Sequence, residues 1–255
     1  MRVAIVIPAR YASSWFPGIP LVPLTGPDGA KTLIQRTWET GCAVKGVDRV
    51  VVATDDSRIA EHVEGFGGDV VMTSATCRNG TERCAEAAAS LQADLVVNLQ
   101  GDAPLTPPWF LEDLIAAMQG AAAVATPVLE TDAEAYARFR EDRRAGRVGA
   151  TTAVCRRDGT ALYFSKELLP FLPDAEVADP PVWHHVGVYA YRPQALQQYM
   201  SWSEGPLERL EGLEQLRFLE NGADVLCVPV DARGRVFWEL NNPVDVARIE
   251  AVLAG

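Results

Sequence analysis

The sequence predicts an α/β fold organised around a mostly parallel sheet. Two observations carry this. Short apolar, β-branched runs recur through the first half of the chain, and stretches of helical period separate them. The runs are apolar at nearly every position, as strands covered by helices on both faces are.

The elements follow in order. VAIVIP (3–8) is the first strand, ending at a proline before an irregular loop. TLIQRTWETGC (32–42) sets Leu33, Ile34, Thr37 and Trp38 near one helical face. RVVVAT (49–54) is a strand. SRIAEHVEGFG (57–67) is a helix with Ile59, Val63 and Phe66 on its apolar side, a cap at Asp56 or Ser57 and a glycine stop. DVVMT (69–73) and DLVVNLQ (94–100) are strands, and the alanine-rich TERCAEAAASL (81–91) between them is helical. After about residue 125 the pattern loosens. FREDRRAGR (139–147) reads as a charged surface segment. ALYFSKELLPFLP (161–173) and VWHHVGVYAYRP (182–193) read as antiparallel or dimer-forming strands. PLERLEGLEQLRFLENG (206–222) predicts one amphipathic helix, with Leu207, Leu210, Leu213 or Glu214, and Phe218 on one face and Asn221-Gly222 ending it. A strand (223–230) and a helix from Pro243 complete the chain. No linker or repeat interrupts it. The expected organisation is a single domain, with residues 1–125 and 223–255 as core and 126–222 as an inserted lobe for acceptor binding and dimerisation.

Composition narrows the function. The 255 residues are 48% hydrophobic and 22% charged, ordinary for a folded soluble protein, with a formal net charge of -11. That balance argues against nucleic acid, whose phosphates are met by basic surfaces. The five cysteines form no CxxC pair, so structural zinc and a disulfide framework are disfavoured and a reducing cytoplasm fits. The N-terminus lacks the shape of a signal peptide, and no apolar run is long enough to span a bilayer.

In sheets of this kind ligands sit beyond the carboxyl ends of the strands. The first loop, ARYASSWFPGIPL (9–21), lies there. Its prolines suit a plain connection. Its small residues Ala9, Ala12, Ser13 and Ser14 also suit an anion cradle of successive N–H groups, with Arg10 adding charge-assisted hydrogen bonds. It is neither a Walker A loop nor GxGxxG. NLQGDAPL (98–105) ends a strand at Gln100, turns at Gly101 and presents Asp102 on the same rim. Asp102 either caps a turn or holds Mg²⁺ against phosphate oxygens.

PARYASSWFPGIPL, VVATDDSRIAEHVEGFGGDVVMT, NGTERCAEA, VNLQGDAPL, ALYFSK, HHVGVYAYR and PLERLEGLEQLRFLENG occur in the order and spacing of the CMP-Kdo synthetases, the 3-deoxy-manno-octulosonate cytidylyltransferases. The chain resembles that family over nearly its whole length. The resemblance implies a Rossmann-like (GT-A-like) nucleotidyltransferase fold, a homodimer, CTP as co-substrate, Mg²⁺ as cofactor, and a CMP-linked acid and pyrophosphate as products. It implies that Arg10 and the backbone of Ala12 to Ser14 hold the triphosphate and that Asp102 binds metal. Asn79, Gly80 and Arg83 would lie in the cytidine segment. Gln100, Gly101, His185, Tyr189, Glu214 and Gln215 would lie at the acceptor.

The departures from the family pattern are specific. Trp15 and Ile19 stand where arginine and lysine are usual, Ser74 replaces an arginine, and Ala103 a glutamate. Asn241 replaces the second metal-binding aspartate, with Glu239 two residues earlier as a substitute ligand. Arg78, Lys31 and Lys166 are the candidates for replacement charge. These changes lean the sequence reading to a compact phosphonate acceptor such as phosphonoformate. Kdo is the alternative, and a non-catalytic nucleotide-binding regulator the rival.

Overall fold

The structure is a computed structural model. It describes residues 1–12, 16–148, 150–172, 180–235, 240 and 243–255. Strands β1 (Val3–Ala9), β2 (Pro23–Gly26) and β3 (Gly29–Thr32) lead into helix α1 (Leu33–Cys42). Then come β4 (Arg49–Thr54), α2 (Ser57–Gly65), β5 (Asp69–Met72), α3 (Gly80–Ala88), β6 (Leu95–Leu99) and α4 (Pro108–Ala117). The second half runs β7 (Val124–Glu130), α5 (Ala133–Arg144), β8 (Thr152–Cys155), β9 (Ala161–Ser165), β10 (Trp183–His185) and β11 (Val188–Tyr191). It closes with α6 (Pro193–Ser201), α7 (Pro206–Glu211), α8 (Leu216–Glu220), β12 (Leu226–Pro229) and α9 (Pro243–Ala254).

The main sheet runs β5-β4-β1-β6-β11-β7-β10-β8-β9, and β12 pairs with β7. Its first four strands are parallel, with Ala9 opposite Thr54 and Val6 opposite Asn98. From β11 onward the pairings in this order are antiparallel. Ala125 faces both Ala190 and Leu226, and Val128 faces both His185 and Pro229. It follows that β11 and β10 succeed each other along one edge of β7 while β12 takes the other.

Alternation along β1 builds two cores. Val3, Ile5 and Ile7 pack with Ile34, Ile59, Val63, Phe110 and Leu114 from α1, α2 and α4. Ala4 and Val6 face Cys84, Ala87, Leu196, Tyr199 and Phe218 from α3, α6 and α8. Burying each large aliphatic side chain contributes roughly 1.5–3 kcal/mol. Helix starts follow their caps: Asp56 accepts from Arg58 N, and Asn79 from Glu82 N.

Two expectations need correction. The segment 206–222 is two short helices, broken at Gly212 in the left-handed region (φ 62), and Leu210 is 83% exposed rather than packed. β11, from VWHHVGVYAYRP, is antiparallel as expected, but instead of belonging to a separate lobe it lies in the middle of the main sheet against β6. FREDRRAGR is the surface segment expected, most of it forming the end of α5. Among the described residues no helix is long and apolar enough to cross a membrane.

Candidate active site

The carboxyl ends of β1, β4 and β6 form one rim, because these strands are neighbours, parallel and in register. Ala9 ends β1 and is buried, whereas Arg10 and Ala12 are exposed. Gly18, at φ 75, donates its N–H to Tyr11 O at 2.9 Å and closes the loop into a 3₁₀ turn at Ile19–Leu21. Ser13, Ser14 and Trp15 lie outside the described residues. Ile19 carries no charge and takes a packing role. It packs with Phe16 and Leu105 on a small apolar cluster of Leu24, Leu33, Leu240 and Ile249.

Beyond β6 the chain turns tightly. A Cβ on Gly101 would sit 2.6 Å from Pro8 O, so only glycine lets this loop cross the end of β1. Ala103 N donates to Gln100 O at 3.2 Å, and Asp102 sits between them. Burial pushes the Asp102 carboxyl up to about 6, against the opposing pull of its own backbone N–H and the Arg10 charge. Its Oδ1 is buried and has no hydrogen-bond partner. A shielded carboxylate oxygen left unsatisfied is costly, and a hard divalent cation bound by oxygen ligands satisfies it. The residue therefore fits Mg²⁺. Leu240 N donates to Asp102 O at 2.8 Å, which ties the C-terminal segment to this loop. Glu239 and Asn241, on either side of Leu240 in sequence, lie outside the described residues. Among the described residues no three His, Cys, Asp or Glu gather as a metal cluster.

A second polar group lies where β6, β11, α3 and the α7–α8 turn meet. Asn79 caps α3 and donates to Tyr199 Oη at 2.9 Å. Glu214 lies at the start of the same helix, accepting from Thr81 N at 3.0 Å and from Gln100 Nε2 at 3.3 Å. Burial, reinforced by nearby Glu208, raises the Glu214 carboxyl to about 7 despite those donors. A Cβ on Gly80 would meet Gln100 Nε2 at 2.9 Å and Asn98 Nδ2 at 3.3 Å, so glycine keeps this corner open. Tyr189, opposite Asn98 in the sheet, donates its hydroxyl to Gln215 Oε1 at 3.0 Å. His185 lies 5.6 Å from the Tyr189 ring, bonded to Thr126 Oγ1 at 2.8 Å. Burial pushes its pKa down to about 3, so the imidazole is neutral at pH 7.

Of the residues singled out from sequence, the structure thus brings Asn79, Gly80, Gln100, His185, Tyr189, Glu214 and Gln215 into one neighbourhood, with Gly101 and Asp102 on the adjoining turn. Arg83 is occupied: its guanidinium pairs with Asp55 at 3.2 Å and bonds Thr73 Oγ1 at 2.6 Å. Lys31 is held by Asp28 and Glu39, and Arg78 by Glu82. Ser74 is tied to Glu86 through its backbone N–H.

Sequence reasoning missed Asn98, whose amide N and O are both buried without partners, and Gln215 Nε2 is left in the same state. The available signal was a polar residue inside an otherwise apolar strand, LVVNL. It also undervalued Lys166, a partly buried lysine whose Nζ would lie 3.0 Å from a Cβ on Gly212, next to the Glu214 turn.

An exposed arginine, a shielded aspartate and a buried polar cluster on one carboxyl rim are groups that nucleotidyl transfer from a metal-bound triphosphate can use. The comparisons agree. The family model described as Cytidylyltransferase matches residues 4–225. The chain is 43% identical over its full length to a 3-deoxy-manno-octulosonate cytidylyltransferase of Maricaulis maris, covering 98% of that protein. It is 40% identical to the mitochondrial enzyme of that name from Arabidopsis thaliana (99% of this chain, 83% of that protein). It is also 40% identical to an 8-amino-3,8-dideoxy-manno-octulosonate cytidylyltransferase of Shewanella piezotolerans (100% and 99%). A solved CMP:2-keto-3-deoxy-manno-octonic acid synthetase complexed with CTP superposes with a TM-score of 0.85 at 34% identity, covering 99% of this chain and 98% of that one. The chain belongs to the CMP-Kdo synthetase family of cytidylyltransferases, and it is a CTP-dependent nucleotidyltransferase.

Proposed function

We propose that the enzyme transfers CMP from CTP to a 3-deoxy-octulosonic acid, the acceptor class that its relatives' names carry. An acceptor hydroxyl oxygen bonds to the α-phosphorus, the bond from that phosphorus to the β-phosphate's bridging oxygen breaks, and pyrophosphate leaves. The hydroxyl proton passes to solvent. Arg10 and the first loop's amides hold the phosphates. Asp102 holds Mg²⁺, with Asn241 or Glu239 as further ligands, and the ion supplies neutralisation of phosphate charge.

The observation that carries the acceptor assignment is the buried cluster of amides and hydroxyls around Asn98. Asn98 offers both its amide atoms and Gln215 its Nε2 unpaired beside Gln100, Tyr189 and Glu214. Such a surface matches a polyhydroxylated acid, with Lys166 for its single carboxylate. The names of the relatives carry octulosonates as acceptors, so the lean towards phosphonoformate is set aside. Of the four changes that motivated it, at Trp15, Ile19, Ala103 and Asn241, Ile19 packs on an apolar cluster and Ala103 is buried.

The test supplies CTP and Mg²⁺ with 3-deoxy-manno-octulosonate, its 8-amino-3,8-dideoxy analogue, or phosphonoformate. Pyrophosphate release and the CMP adduct are followed by mass spectrometry. Turnover of either octulosonate and none of phosphonoformate is expected, and the opposite pattern overturns the assignment. We further propose that the enzyme works as a homodimer in a reducing cytoplasm. Exposed Phe171 and Leu210 and the five free thiols support that reading, and light scattering checks the dimer.

A further inference from the structure

We propose that Arg58 binds the triphosphate of CTP, as a second cation beside Arg10. Ala9 lies opposite Thr54, so the loops leaving β1 and β4 run side by side. Arg58 comes from the second of these and reaches the first. Its guanidinium carbon sits 3.4 Å from the centroid of the Tyr11 ring, the residue after Arg10. Behind it, Asp56 holds the fork at two points, Nε to Oδ1 at 2.9 Å and Nη2 to Oδ2 at 2.6 Å. Asp56 also accepts from Arg58 N at 3.0 Å, which fixes the stem of the side chain. Tyr11 is itself anchored through its carbonyl by Gly18 N. The Arg58 plane is therefore set before any ligand arrives.

What remains of the guanidinium is unused. Nη1 meets no partner among the described residues, and the side chain is 56% exposed. A planar donor edge held in place suits phosphate oxygens and loses little conformational freedom on binding. The neighbouring cations cannot do this. Arg83, paired with Asp55 and Thr73, and Arg36, paired with Asp28 and the carbonyls of Leu24 and Gly29, are buried (side chains 4% and 7% exposed) and present no free edge to the rim. Ile19 contributes no charge. A triphosphate on this rim meets Arg10 and then Arg58.

The experiment compares Mg²⁺-dependent binding of CTP and of CMP by calorimetry, in the wild-type protein and in Arg58→Gln. CMP shares the base, the ribose and the first phosphate, and lacks the β- and γ-phosphates. Losing one charge-assisted contact to phosphate weakens CTP binding about tenfold, while CMP affinity stays within about twofold. Unchanged CTP affinity overturns the proposal. Equal weakening of CTP and CMP overturns it as well, because Arg58 would then only brace the Tyr11 turn.

Discussion

At the scale of single residues, two buried carboxyls divide the work. Asp102 has an unsatisfied oxygen, whereas Glu214 is hydrogen-bonded on both oxygens. Asp102→Asn keeps the shape and removes the charge. Losing a charge that acts on the transition state costs about a hundredfold or more in kcat, so pyrophosphate release should fall at least that far with the fold intact by circular dichroism. Glu214 makes a different prediction. Its folded pKa of about 7 lies above the ordinary 4.5, so the protonated form is favoured by folding. The stabilisation this gives is complete below pH 4.5 and disappears as pH rises through about 7. Glu208, Tyr191 and Tyr199 face the same pocket and stay in place in the variant. Glu214→Gln should therefore raise Tm relative to wild type more at pH 8 than at pH 5. An equal difference at both values would contradict the buried, raised carboxyl.

At the scale of elements, the break between α7 and α8 matters most. A continuous helix over 206–222 satisfies the apolar period, and the sequence favours it. Gly212 stops α7 in a left-handed turn, with its N–H on Glu208 O at 2.8 Å. The break lets Glu211 accept from Ser165 Oγ and Lys166 N on the β9 side while Glu214 turns to the start of α3. Gly212→Ala places a Cβ at φ 62, which costs about 1–2 kcal/mol, and brings it to 3.0 Å from the flexible Lys166 Nζ. Urea unfolding should show that loss with an unchanged m-value. The same contrast explains what could be read in advance. β1, β4 and β6 are visible because strands covered on both faces are apolar, β5 shows as a short apolar run although it is a partly exposed edge strand, and Gly101 marks a tight turn. Asn98 hides because a lone polar residue inside such a strand resembles a bonded core amide. The insertion of β11 between β6 and β7 hides because local pattern does not encode strand order. Arg217 hides as one charge on an amphipathic stretch, yet it is buried between Glu208, at 2.6 Å, and Glu82, at 3.0 Å.

At the scale of the whole molecule, the two large cores lie on opposite faces of the sheet, while a third, smaller cluster joins parts distant in sequence. Leu24 of β2 and Leu33 at the start of α1 pack with Leu240 and with Ile249 of α9. Phe16, Ile19 and Leu105 close over them. Through these contacts the C-terminal helix supports both the first loop and the Asp102 turn, and Thr25 N adds a hydrogen bond to Glu250 at 2.7 Å. The cluster is small and lies apart from the two main cores, so it should open locally before the sheet does. Ile249 is fully buried, and its truncation to alanine costs about 2–5 kcal/mol. Ile249→Ala should therefore speed amide exchange at Leu21, Val22 and Leu240 far more than in β1 or β6. It should also raise the KM for CTP, because the first loop loses the surface it rests on. Acceleration spread evenly over β1 and β6 would show instead that α9 and the sheet unfold as one unit.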